Sequence, residues 1–124
     1  MKMMPKTMAA RMTQIDYDRE MALVLTNGNG RQGGDLLGIV RVNADPDNEK
    51  AEFAIMLGSG MTGLGLGPML MRRIIDYARG RGIKQIFGEV LFENRPMLTL
   101  CKALGFNRRN DPDDPGVALV TLQL

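Results

Sequence analysis

The chain has 124 residues, 44% of them hydrophobic, enough for about one domain with its own core and too little for two. Sixteen basic residues against fourteen acidic ones leave a net charge of +2. With no histidine and few aromatic rings, the chain lacks the clustered cations and stacking platforms of a nucleic-acid surface, so no nucleic-acid partner is expected. The single cysteine, Cys101, excludes an internal disulfide, and without histidine it excludes the common zinc patterns; the expectation is a cytoplasmic protein without a metal. No membrane association is expected either, because the apolar runs fall far short of the roughly 20 residues that span a bilayer. The opening MKMMPKTMAARM is too broken by Lys, Pro and Arg for a signal peptide.

In chain order, MALVLT (21–26) predicts a strand, NGNGRQGGD a flexible hairpin loop and LLGIVRVN (36–43) the returning antiparallel strand. ADPDNEK is a second turn, and AEFAIML (51–57) a third strand of the meander. Leu66, Leu70, Ile74 and Ala78 then recur at helical spacing, with Arg72, Arg73, Asp76 and Arg79 on the other face and Gly80 and Gly82 as the stop. IKQIFGEVL (83–91) predicts a strand parallel to the one before the helix. Asn94 caps a second helix with Pro96 in its first turn, running through Met97, Cys101 and Leu104 to Gly105. FNRR, the turn NDPDDPG and VALVTLQL close the chain as a hairpin. The expected order is β-β-β-α-β-α-β-β, an α/β (α+β) fold with a mixed, mostly antiparallel sheet covered by helices.

GSGMTGLGLGPMLMRRII (58–75) carries glycine at 58, 60, 63, 65 and 67 just before the first helix. Bare backbone leading into a helix start, whose N–H groups lack intrahelical partners, forms a socket for phosphate. Gly58, Gly60 and Gly63 also spell the dinucleotide fingerprint G-x-G-x-x-G, but the helical period begins too late and antiparallel hairpins precede it. A Walker loop is excluded because no Lys-Ser/Thr pair follows the glycines.

The order of elements, the loop TGLGLG and the segment ENRPMLTLCKALGF together resemble the GNAT superfamily of acyl-CoA-dependent N-acyltransferases. TQIDYDREMALV, AEFAIML and GEVLFENRPMLTLCKALGF are most similar to the acetyltransferase domain of bacterial Pat-type protein lysine acetyltransferases. The resemblance implies acetyl-CoA as co-substrate and a main-chain cradle for its pyrophosphate at Thr62, Gly63, Leu64, Gly65, Leu66, Gly67 and Pro68. Thr62 stands where the family prefers Gln or Arg, Leu64 where it often has Lys or Arg, and Pro68 lacks an N–H. Proline in a first helical turn is equally a good helix start. Only about twenty residues precede MALVLT, so the family's first strand and helices are expected to be mostly missing, as in either a trimmed domain of a longer protein or an altered variant. Eleven methionines point to an engineered or a loosely specified core.

Acetyl transfer to an amine needs a base, a polarised carbonyl and a proton for the departing thiolate. Strand alternation puts Glu52, Ala54 and Met56 on one face, and an apolar setting would suit a carboxylate base. The resemblance implies that role for Glu52; the alternative is a solvated residue paired with Lys50 or Arg41. Main-chain amides near Met56 and Leu57 are candidates for the carbonyl, where the family often bulges this strand away from the next and lets pantetheine lie between them. Cys101 replaces the family's proton-donating tyrosine, although its place on an apolar helical stripe equally suits packing. Asn94 either touches the pantetheine arm or only caps its helix. Asp16, Asp18 and Glu20 could line the acceptor's entrance or form the solvated face of a short helix. A protein lysine is the favoured acceptor and a small amine the second, with a second copy of the chain as a further candidate partner. A degenerate acyl-CoA-binding module without turnover is the reading from another class.

Overall fold

The computed structural model of the chain describes residues 10–27, 36–58 and 65–124. The predicted hairpin loop therefore falls mostly outside the described residues, as do Thr62, Gly63 and Leu64. Strands β1 (Ala10–Asp16), β2 (Glu20–Asn27), β3 (Leu36–Ala44) and β4 (Lys50–Leu57) precede helix α1 (Leu66–Gly80). Strand β5 (Gln85–Leu91), helix α2 (Arg95–Ala103) and strands β6 (Asn107–Asp111) and β7 (Asp114–Gln123) complete the chain.

All seven strands form one sheet in the order β1-β2-β3-β4-β5-β7-β6, antiparallel at every step except β4 to β5. The expected fold class holds, with one strand added. A short helix bearing Asp16, Asp18 and Glu20 does not form: Asp16 ends β1, Glu20 opens β2, and the Tyr17 N–H donates to the Glu20 carbonyl at 2.7 Å across the tight turn between them. Strand β1 thus stands ahead of the first strand predicted from sequence, paired antiparallel with β2.

Burial alternates along the central strands as their sequences dictate. In β4, Ala51 and Phe53 are buried while Lys50, Glu52, Ala54 and Met56 are exposed; in β3, Val40, Val42 and Ala44 alternate with exposed Arg41 and Asn43. The inward residues join one core with Leu70, Met71, Ile74 and Ala78 of α1 and Met97 and Cys101 of α2. Both helices cover this face, as two right-handed crossovers advancing the same way across a sheet require. On the other face, Glu20, Arg41, Asn43, Glu52, Ala54 and Met56 meet no helix among the described residues.

Gly88 is fixed by close approach: a Cβ there would stand 2.6 Å from Cε1 of Phe53. The Phe53 ring lies over the bare backbone and meets Phe106 edge to face, with ring centroids 5.8 Å apart.

Candidate active site

Strands β4 and β5 pair over only three rungs, Lys50 with Gln85, Ala51 with Ile86 and Glu52 with Phe87. Both strands continue beyond that point, β4 to Leu57 and β5 to Leu91, each paired only on its other side, with β3 and β7. Main-chain groups along 53–57 and 88–91 therefore border an opening in the sheet. The separation expected from the family resemblance is present as an early end of the β4–β5 ladder.

A cleft of about 540 Å³ fills this opening and runs through the plane of the sheet. Phe53, Ile55, Val90 and Met97 line it from the helix-covered side, and Glu20, Arg41, Asn43, Glu52 and Glu89 from the open side, with Asn94 at the end of the second strand. Apolar groups can hold a thioester arm while carboxylates meet a polar acceptor.

Glu52 sits on the last paired rung, opposite Asn43 on β3. It is exposed, not buried among apolar neighbours, and it joins neither ion pair found among the described residues. Arg41 instead reaches Glu20, Nε to Oε1 at 3.9 Å, and Lys84 reaches Glu49 at 3.7 Å. The three carboxylates in the lining do not converge as metal ligands: among the described residues no group of three or more acidic, cysteine or histidine side chains is placed to hold an ion.

Helix α1 starts at Gly65, whose φ of 79° lies in the left-handed region that glycine enters without a Cβ penalty. No side chain caps this start and no acidic residue occupies its first turn. The Met69 N–H returns to the Gly65 carbonyl at 3.2 Å, Pro68 has no N–H, and the N–H groups of Leu66 and Gly67 have no partner among the described residues. These two amides lie at the positive end of the dipole of a 15-residue helix. Leu66 and Gly67 themselves are buried, and a Cβ on Gly67 would meet Leu57 and Leu100 at an ordinary 3.7 Å. Clearance from neighbouring protein atoms therefore does not require glycine at 67.

Asn94 belongs to the cleft and caps α2: its Oδ1 accepts from the Met97 N–H at 3.3 Å, with Pro96 in the first turn. Leu57 is half-buried against both apolar clusters, whereas Met56 points outward at 67% exposure. Cys101 lies one turn beyond Met97, is 1% exposed and takes no part in the cleft lining. Burial pushes its thiol up from 9.0 to about 11, which keeps it neutral. Core packing accounts for Cys101 where it stands, buried with Met97 and apart from the residues that line the cleft.

Of the three acidic residues offered for the acceptor's entrance, Glu20 lines the cleft and Asp16 and Asp18 do not, while Glu89 and Arg41 were not assigned to the site from sequence. Glu89 was within reach of the argument, because alternation in QIFGEVL sets Phe87, Glu89 and Leu91 opposite Ile86, Gly88 and Val90, and a parallel neighbour brings that face beside Glu52.

Residues 4–106 match the sequence model of the Acetyltransferase (GNAT) family. The chain belongs to the GNAT family. An acetyltransferase of Pseudomonas aeruginosa is 38% identical over 107 residues, which cover 84% of this chain and 55% of that relative. The chain thus spans about half the length of this curated relative. Among solved structures, the GNAT domain of S. lividans PAT superposes with a TM-score of 0.71 at 24% identity, covering 88% of this chain and 64% of that one. The Campylobacter jejuni N-acetyltransferase PseH in complex with acetyl coenzyme A superposes with a TM-score of 0.65 at 18% identity, covering 86% and 70%. This GNAT chain has no helix, among the described residues, long and apolar enough to cross a membrane.

Proposed function

We propose that the protein transfers an acetyl group from acetyl-CoA to an amine, most readily a protein lysine side chain, with Glu52 as general base. The early end of the β4–β5 ladder carries this reading, because it opens a path through the sheet from an apolar side to a carboxylate-lined one. The open amides of Leu66 and Gly67 fit the pyrophosphate, and the thioester arm follows the unpaired edges of β4 and β5. The amine approaches from the open face, where Glu52 takes its proton as nitrogen attacks the thioester carbon, and main-chain N–H groups on the free edge of β4, near Met56 and Leu57, steady the developing oxyanion. With Cys101 in the core, solvent protonates the leaving thiolate. An open cleft and the Pat-type resemblance favour a side chain presented on another protein; a free small amine is the second choice.

The test is Glu52→Gln, which keeps size and hydrogen bonding but cannot take the proton. Thiol release at saturating acetyl-CoA is expected to fall by about 10²- to 10⁴-fold with acetyl-CoA affinity preserved. Unchanged turnover in this variant, with the loss appearing in Glu89→Gln, would move the base to β5. Binding of acetyl-CoA with no transfer to any amine would leave the chain a non-catalytic acyl-CoA-binding module.

A further inference from the structure

We propose that Arg41 selects the acceptor, favouring a lysine with an acidic residue beside it, whose carboxylate the guanidinium receives; this rests on the transfer to lysine proposed above. Arg41 lies mid-strand on β3 and points to the open face, opposite Ala22 on one side and Ala54 on the other. Flanked by two alanines, it has no large side chain beside it in its row. Its contact with Glu20 is 3.9 Å long between side chains 62% and 36% exposed, an ion pair of little worth. That pair engages only Nε, so the two terminal nitrogens carry no ion pair among the described residues. They form the planar fork that grips a carboxylate with two parallel hydrogen bonds.

The charge balance of the lining also needs an explanation. Glu20, Glu52 and Glu89 suit an incoming ammonium, whereas a guanidinium among them repels it. A cation in that position works on a different group of the acceptor. Arg41 lies two residues along β3 from Asn43, the rung partner of Glu52, a separation of roughly 7 Å. Adjacent residues of a bound peptide are about 3.8 Å apart at their Cα atoms and next-but-one residues about 7 Å, so a side chain one or two places from the lysine reaches this distance. The opposite side of the cleft, with Glu89 and Asn94, carries no cation among the described residues of its lining, which gives the acceptor one direction in which to lie.

The experiment uses two peptides with the same central lysine, flanked by glutamate in one and arginine in the other, with the wild-type chain, Arg41→Ala and Arg41→Glu. Transfer is followed by thiol release, peptide binding by anisotropy on protein saturated with desulfo-CoA, and acetyl-CoA affinity by calorimetry. The wild type is expected to favour the glutamate peptide by roughly tenfold, in KM more than in kcat. Arg41→Ala should erase that preference and Arg41→Glu reverse it, each with acetyl-CoA affinity within about twofold of wild type. A preference that is absent, or identical in all three proteins, overturns the proposal. An acetyl-CoA affinity that falls as far as peptide affinity overturns it too, by assigning Arg41 to the co-substrate. If neither peptide is acetylated but binding still follows residue 41, lysine transfer is wrong and the selection by Arg41 stands. If both are acetylated without regard to charge, the reverse holds.

Discussion

Helix α2 closes its own first turn, with the Asn94 side chain accepting from the Met97 N–H and Pro96 presenting no donor, whereas α1 opens from a left-handed glycine with no side-chain cap and leaves the amides of Leu66 and Gly67 unclaimed among the described residues. Both sequences show a polar or glycine stretch followed by proline and an apolar period, so they look alike as helix starts. One is built for its own stability. The other has no side-chain cap, a feature worth typically about 1 kcal/mol, and its first amides find no partner among the described residues.

The largest effect that would break this comparison comes from Gly65→Val. A non-glycine residue at φ 79° costs on the order of 1–2 kcal/mol, and the β-branched side chain adds to that cost. The variant should melt at lower temperature and lose acetyl-CoA binding by more than about tenfold in calorimetric titration, since the first turn would re-form with its amides redirected. Affinity equal to the parent's would show that the open start of α1 serves chain geometry alone. The next effect sharpens the contrast. Leu64→Arg places a cation next in sequence to an amide-only site, and a charge-assisted contact there should raise acetyl-CoA affinity by roughly tenfold, part of it lost at high salt. The smallest lies at the closed start. Asn94→Ala should lower stability by about 1 kcal/mol in denaturant unfolding, whereas Asn94→Asp, which keeps the acceptor, should hold it. A fall in acetyl-CoA affinity in Asn94→Asp without a fall in stability would give Asn94 a second role at the cleft.

The elements that bury an apolar face were legible because burial writes a period into the sequence. Leu66, Leu70, Ile74 and Ala78 mark α1, and alternating Ala51, Phe53 and exposed Glu52, Ala54 mark β4, each as the structure has it. Strand β1 was not legible: it is an edge strand held by backbone pairing to β2, with Arg11, Thr13, Gln14, Ile15 and Asp16 all exposed, so no two-residue period develops. Of the candidate site, Glu52 and Asn94 were found and line the cleft, because each stands in a local pattern, a strand alternation or a helix cap. Glu20, one of three acidic residues offered for the entrance, lines the cleft as well, whereas Arg41 and Glu89 come from two further strands that only the sheet order brings beside it. Cys101 drew a chemical reading from its family position, but its helical stripe, the packing alternative, describes where it lies.

The three-rung seam between β4 and β5 divides the molecule mechanically. Strands β1 to β4 carry α1, which touches β3 and β4, while β5, β7 and β6 carry α2, which touches β6. The two leaves are joined by three rungs, by main-chain bonds from Lys84 and Gln85 to Glu49 and the Lys84–Glu49 ion pair at the start of the seam, and by a shared core in which the Phe53 ring overlies Gly88 just past the last rung. A molecule with that connectivity has a natural crease. Whatever fills the opening bridges both leaves at once, so its binding is felt as slowed amide exchange along both free edges, at 53–57 on one leaf and 88–91 on the other, in step and not one after the other.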